Sequence, residues 1–240
     1  MKPLLLFDMD GTLIIQEKKP EYKGTKTHYE PYISIKQQMK KIVIKHGVPA
    51  EKVVPLDRMA LIWNTTRRHL EENNHPLDEI QLIMDEINKP FMAEELADHE
   101  ISVLLPDTLN GLESLKKLGY TMGLVTTASR GSYDRISSHH GYGCFGDFFK
   151  HSVTRDECRF IKPDPEPINR ILDMYHQGDF IYVGDSDHDG YACKEAGGFF
   201  VLINTREYSE STLRKLNPDA VINKLTELPE LLEDMCYNDS

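Results

Sequence analysis

Six short runs, nearly all apolar and rich in β-branched residues, punctuate this chain at 4–7, 120–126, 148–153, 180–183, 199–203 and 220–222. They are nearly continuous rather than alternating, which is the pattern of strands buried on both faces. Stretches with helical spacing lie between them at 107–118, 130–140, 165–175, 190–196 and 226–235. Leu109, Leu112, Leu115 and Leu118 line one face of the first of these. Gly119 closes that helix, Gly178 precedes a strand, and Gly197 with Gly198 stops another helix. Alternation of this kind from about residue 105 onward calls for right-handed crossovers and a parallel sheet covered on both sides. The expected fold class is α/β.

The rhythm breaks between the first and second runs. Ile35, Met39, Ile42 and Val43, then Leu56, Met59, Ala60, Trp63 and Leu70, then Ile80, Ile83, Met84 and Ile87 recur at helical spacing, with no convincing strand among them. We therefore expect residues 1–15 and 102–240 to form the sheet-based core and residues 16–101 a smaller all-helical insert. Its polar opening, 16–32, carries Pro20, Gly24 and Pro31, as a linker or flap would. Trp63 and the methionines read as packing residues of the insert.

The chain has 240 residues and a formal net charge of −11. Its long-range field repels nucleic-acid backbones and anionic membrane surfaces, so neither is an expected partner. Any site for a phosphorylated molecule must build local positive potential from a metal, a lysine or backbone amides. Cys144, Cys158, Cys193 and Cys236 have no metal-binding spacing. The apolar run at 4–7 is too short for a secretory signal, and no stretch reads as a membrane span. A cytoplasmic location is the expectation.

Four segments carry chemistry, each following a separate strand. The first run ends in Asp8-Met9-Asp10-Gly11-Thr12. In a parallel sheet the carboxyl ends of the strands form the ligand crevice. There Asp8 could attack phosphorus while Asp10 protonates the leaving oxygen and later takes a proton from water. The second run ends in Thr126-Thr127, whose hydroxyls suit phosphate oxygens at a helix start. Next, Lys162 is followed by alternating prolines at 163, 165 and 167, which pin it to an extended path entering a helix. Its point charge would neutralise Asp8 and a transferring phosphoryl group. Finally, Asp185, Asp187 and Asp189 crowd one strand end, where a divalent cation relieves the repulsion. Asp185 is the expected direct ligand and Asp189 a ligand or its supporting neighbour; His188 reads as a surface or helix-start residue. Singly these could be an Asx-rich turn, a helix cap and a rigid linker; together they supply nucleophile, hydroxyl donor, cation and metal ligands.

These segments resemble, in order, the four motifs of the haloacid dehalogenase superfamily of phosphotransferases. The resemblance spans nearly the whole chain. It implies a Rossmannoid core, a helical cap inserted after the first motif, and an aspartyl-phosphate intermediate on Asp8. It also implies Mg²⁺ held by Asp8, Asp185 and the main-chain carbonyl of Asp10, with Asp189 alongside. Candidate phosphate-binding residues are Thr12, Thr126, Thr127 and Lys162. An acid at Asp10 separates phosphatases and phosphomutases from relatives that cleave carbon–halogen or carbon–phosphorus bonds. The reading is a magnesium-dependent phosphatase acting on a small phosphorylated metabolite or nucleoside monophosphate. The alternatives are a phosphomutase similar to β-phosphoglucomutase and a non-catalytic binding module. Residues 46–55 and 28–32 are candidate contacts to the leaving group and Arg130 to a second anionic group, with plain exposure the duller account of each.

Overall fold

The computed structural model describes residues 2–16, 30–99, 102–139 and 143–238. Eight strands are described: β1 Leu4–Phe7, β2 Ile14–Gln16, β3 Ser102–Leu104, β4 Met122–Val125, β5 His151–Val153, β6 Phe180–Gly184, β7 Phe199–Ile203 and β8 Ala220–Ile222. The helices are α1 Glu30–Lys45, α2 Ala50–Val53, α3 Met59–Glu72, α4 Leu77–His99, α5 Thr108–Lys117, α6 Arg130–Ser137, α7 Glu166–Tyr175, α8 Asp187–Glu195, α9 Glu210–Leu216 and α10 Leu228–Asn238. Six strands form one sheet in the order β5-β4-β1-β6-β7-β8, and every pairing in it is parallel.

Continuous apolar runs produce this sheet because both of its faces are covered. All of β1 and β6 is buried. Leu4, Leu6, Tyr182, Phe200 and Leu202 pack on one side with Ile168 and Ile171 of α7 and Ala192 of α8. Leu5, Phe7, Ile181, Val183 and Val201 pack on the other with Leu112 and Leu115 of α5 and Leu232 of α10. Gly119 and Gly197 adopt left-handed backbone just past the ends of α5 and α8, as their position in the sequence implies. The run at 148–153 is only in part a strand: residues 145–148 make a 3-10 turn and pairing starts at His151.

The described residues between β2 and β3, 30–99, contain the helices α1 to α4. Ten of the thirteen apolar residues read from the spacing there belong to the hydrophobic cluster that also contains Leu4, Leu6 and Tyr182 of the sheet, and Ile42, Leu56 and Met59 pack against it. The base of the insert differs from expectation. Residues 14–16 and 102–104 pair as a two-stranded antiparallel ribbon, with Ile14 opposite Leu104. Three-residue strands are too short to leave a periodic signal. The polar opening expected at 16–32 lies largely outside the described residues, as do the side chains of 30–33.

Polar contacts join α3 to the loop before Lys162. Asn64 donates to the Ile161 carbonyl at 2.6 Å and accepts from the Ile161 N–H at 2.9 Å. Trp63 donates to the Arg159 carbonyl at 3.3 Å, so this packing residue also carries a polar link. Asn64 is buried, so truncating it strands two main-chain groups away from water. Asn64→Ala is expected to lower the unfolding free energy by about 3 kcal/mol in chemical denaturation.

Candidate active site

Parallel strands β4, β1 and β6 are neighbours, so the residues just past their carboxyl ends meet. Asp8 follows β1, Thr126 follows β4 and Asp185 follows β6. All three are buried. Lys162 reaches the same place from the loop before α7, with only 2% of its surface exposed. Residues 162–165 form a turn containing a cis Lys162–Pro163 peptide rather than the extended path expected from the prolines.

The ammonium of Lys162 is held by four oxygen atoms. Asp189 Oδ1 lies at 2.6 Å and Asp8 Oδ1 at 2.7 Å. The Tyr182 hydroxyl is at 2.8 Å and the Val125 carbonyl at 3.1 Å. Tyr182 in turn donates to the Val125 carbonyl at 3.0 Å. Burial alone would lower the lysine pKa, but Asp189 and Asp8 more than reverse this and hold the ammonium charged. The other oxygen of Asp189 accepts from the main-chain N–H and hydroxyl of Ser186, at 3.1 and 2.5 Å, in a capping box at the start of α8. Lys162 and Ser186 overcome the burial that would raise the Asp189 pKa and bring it below its ordinary value. Both Asp189 oxygens are thus committed to orienting neighbours.

Asp8 and Asp185 stand differently. Burial raises Asp8 well above its ordinary value; Lys162 opposes this, while Asp189 and Asp185 add to it. Burial pushes Asp185 up to about 6, against the opposing pull of Arg206. Oxygens of Asp8, Asp185 and Asp189 lie within 4.8 Å of one another. Asp185 Oδ1 and Thr12 Oγ1 are buried side-chain atoms with no hydrogen-bond partner among the described residues. Hard oxygen donors, an orphaned carboxylate oxygen and surplus negative charge fit a divalent cation of the magnesium type. Gly11 keeps this space open. Its φ is +83°, and a Cβ there would sit 2.2 Å from Asp185 Oδ2, so the glycine is needed for both its backbone and its lack of side chain.

The family model of haloacid dehalogenase-like hydrolases matches residues 5–203, from β1 through β7. The chain belongs to this family. A pyrophosphatase, PpaX, of Bacillus velezensis is 29% identical over 229 residues, 93% of each chain. A hydrolase of Pseudomonas syringae superposes with a TM-score of 0.63 at 16% identity, covering 97% of this chain and 99% of that one. A haloacid dehalogenase-like phosphatase of Thermococcus onnurineus gives 0.54 at 24% identity, covering 96% and 98%. These two structures share the fold of this chain.

Of the residues expected from the sequence, Asp8, Lys162, Asp185 and Asp189 converge with direct contacts or within ligand reach. Thr12 and Thr126 sit beside them on the first and second motif loops respectively, with Thr126 Oγ1 accepting from the Ala128 N–H at 3.0 Å. Asp10 and Thr127 occupy the same loops. Arg130 turns elsewhere: it pairs with Glu157 at 2.9 Å and donates to Ser152, which leaves it tied to the β5 side. His188 begins α8 as expected but is half-buried, and burial lowers its pKa to about 4. Sequence reasoning missed Arg206, whose guanidinium pairs with Asp185, and Tyr182, a strand residue read as core. Neither carries a local signal: Arg206 meets Asp185 only when β6 and β7 lie side by side, and Tyr182 meets Lys162 and the Val125 carbonyl only when β6 and β4 share the sheet.

The raised Asp185 carboxyl, like that of Asp8, contributes to the pH behaviour of the metal-free protein. A folded value near 6 against an ordinary 3.8 means that the native state holds its proton more tightly than the unfolded chain. The resulting stabilisation is full below pH 3.8 and is lost as pH rises through about 6. In metal-free protein, Asp185→Asn is expected to remove about 3 kcal/mol of pH-dependent stability across that window, measured by denaturation at a series of pH values.

Proposed function

We propose that this protein is a Mg²⁺-dependent phosphatase that hydrolyses a small phosphorylated substrate through an aspartyl-phosphate on Asp8. The observation that carries the reading is the buried Lys162 ammonium bound to both Asp8 and Asp189, beside an orphaned oxygen of Asp185. A lysine paired this way holds Asp8 in one orientation and opposes the burial that raises its pKa; a bound divalent cation would favour the ionised form further. Asp189, the other carboxylate gripped by Lys162, spends its second oxygen on Ser186, which leaves Asp8 as the nucleophile.

In the first step a carboxylate oxygen of Asp8 forms a bond to phosphorus as the bond to the leaving oxygen breaks, and Asp10 gives its proton to that oxygen. In the second, water attacks the phosphorus of the acyl phosphate. Asp10 takes the water proton, the bond to Asp8 breaks, and inorganic phosphate leaves. The Thr126 hydroxyl and the loop amides at Thr127 hold the phosphoryl oxygens, with Lys162 compensating their charge. Asp8, Asp185 and the Asp10 carbonyl would hold the magnesium ion, whose charge polarises the phosphoryl group when bound. Asp189, saturated by Lys162 and Ser186, orients the lysine instead of binding metal directly. Residues 16–101 act as the cap that covers the leaving group, on a core of 1–15 and 102–240.

A second substrate class is favoured by the pyrophosphatase of Bacillus velezensis, the name borne by a relative matching 93% of this chain. A phosphate leaving group is far less basic than an alkoxide and needs little help from a proton donor. The two classes therefore separate at Asp10. On a sugar phosphate, Asp10→Asn is expected to lower kcat about a hundredfold or more; on pyrophosphate the loss is expected to be much smaller. Phosphate release should be followed across sugar phosphates, nucleoside monophosphates and pyrophosphate, with Mg²⁺ and with EDTA. Asp8→Asn and EDTA are each expected to abolish release on every substrate. Turnover that survives Asp8→Asn would overturn the mechanism, and isomerisation of a sugar phosphate without phosphate release would make the protein a mutase.

A further inference from the structure

Arg155, in the 3-10 turn after β5, has a fully buried side chain. Its guanidinium donates to Glu95 Oε1 at 2.5 Å, to Glu95 Oε2 at 3.1 Å and to Asn88 Oδ1 at 3.1 Å. The ring of Phe91 faces it at 4.0 Å. Glu95, Asn88 and Phe91 all belong to α4, in the helical insert. A buried ion pair is weak evidence for stability as such, because desolvating both charges costs about as much as their attraction returns. Direction is what such a pair fixes.

That direction leads to the phosphate loop. Arg155 also donates to the Thr127 carbonyl at 2.5 Å. The same peptide plane carries the Ala128 N–H, which donates to Thr126 Oγ1 at 3.0 Å. One rigid plane is therefore gripped at its carbonyl by Arg155 and at its amide by the Thr126 hydroxyl. A hydroxyl has a single proton to give, and a lone pair committed to Ala128 turns that proton away from the amide. Glu95 Oε2 additionally accepts from the Ser129 N–H at 3.2 Å, at the N-cap of α6. Both ends of the loop 127–129 are thus tied to one carboxylate on α4.

We infer that Glu95 and Arg155 are positioning residues for phosphate binding: through the 127–128 peptide, α4 sets the direction in which Thr126 offers its proton. This rests on the reading of Thr126 as a phosphate ligand. It makes the docking of the insert part of the phosphate site, although neither Glu95 nor Arg155 touches substrate.

The test uses the full chain with Mg²⁺ and titrates inorganic phosphate and orthovanadate by calorimetry. Glu95→Gln and Arg155→Lys are each expected to weaken binding about tenfold, the consequence of one misdirected hydrogen bond. Leu232→Ala, a truncation in α10 remote from the loop, is expected to lower the melting temperature with no change in phosphate affinity. In a Thr126→Val background, Glu95→Gln is expected to cost nothing further, because the group it positions is already gone. Unchanged phosphate affinity in Glu95→Gln, or a loss undiminished in the Thr126→Val background, would overturn the inference. Should Arg155→Lys fail to fold, the near-isosteric Glu95→Gln carries the same comparison. Wild-type protein that binds neither anion, or Thr126→Val that binds as tightly as wild type, would remove the reading of Thr126 itself and the inference with it.

Discussion

An ammonium group sealed from water organises this protein. Lys162 is surrounded by two carboxylates, a phenol and a carbonyl drawn from the ends of β1, β4 and β6 and from α8. None of these elements is adjacent to Lys162 in the chain, yet each contributes an oxygen within about 3 Å. Burying one charge is costly, and the cost is offset only if its partners are all in place together. The arrangement therefore couples the sheet register to the chemistry. If β6 slipped by one residue against β1, Tyr182 would face the opposite side and the lysine would lose a partner.

Much of this could be read from the residues alone, for reasons specific to each. Buried parallel strands must be apolar on both faces, so β1, β6 and β7 were visible as runs. Asp8, Thr126 and Asp185 were visible because each stands at the edge of such a run, and Lys162 because prolines follow it at 163, 165 and 167. Three-residue strands β2 and β3 were not, because three residues carry too little periodicity to distinguish from a loop. Nor were Arg155 and Arg206. Their partners, Glu95 and Asp185, lie 60 and 21 positions away, and an arginine in a loop looks the same whether it faces water or a buried carboxylate. Asp189 shows the intermediate case. Its place beside the site was legible, but its commitment to Lys162 and Ser186 depends on the geometry of the helix start.

The polar contacts between the helical insert and the sheet-bearing part of the chain are of two kinds. Arg58 with Asp187, Arg68 with Asp164 and Arg159 with Glu71 are ion pairs at half-exposed arginines. Pairs of that sort contribute at most about 1 kcal/mol and weaken in salt. Asn64 with the Ile161 main chain, and Arg155 with Glu95, are buried and directional. The first holds the strand of chain that delivers Lys162; the second holds the loop that delivers Thr126. The helical insert is consequently fastened to the two loops that present a cation and a hydroxyl to the crevice.

The outermost strands of the sheet, β5 and β8, contain three residues each, whereas the inner strands run to four or five. Such stubs offer an incoming chain only one or two main-chain partners before the template runs out. Growth of the sheet by lateral addition is thereby discouraged at both margins, despite an interior as apolar as any aggregating segment.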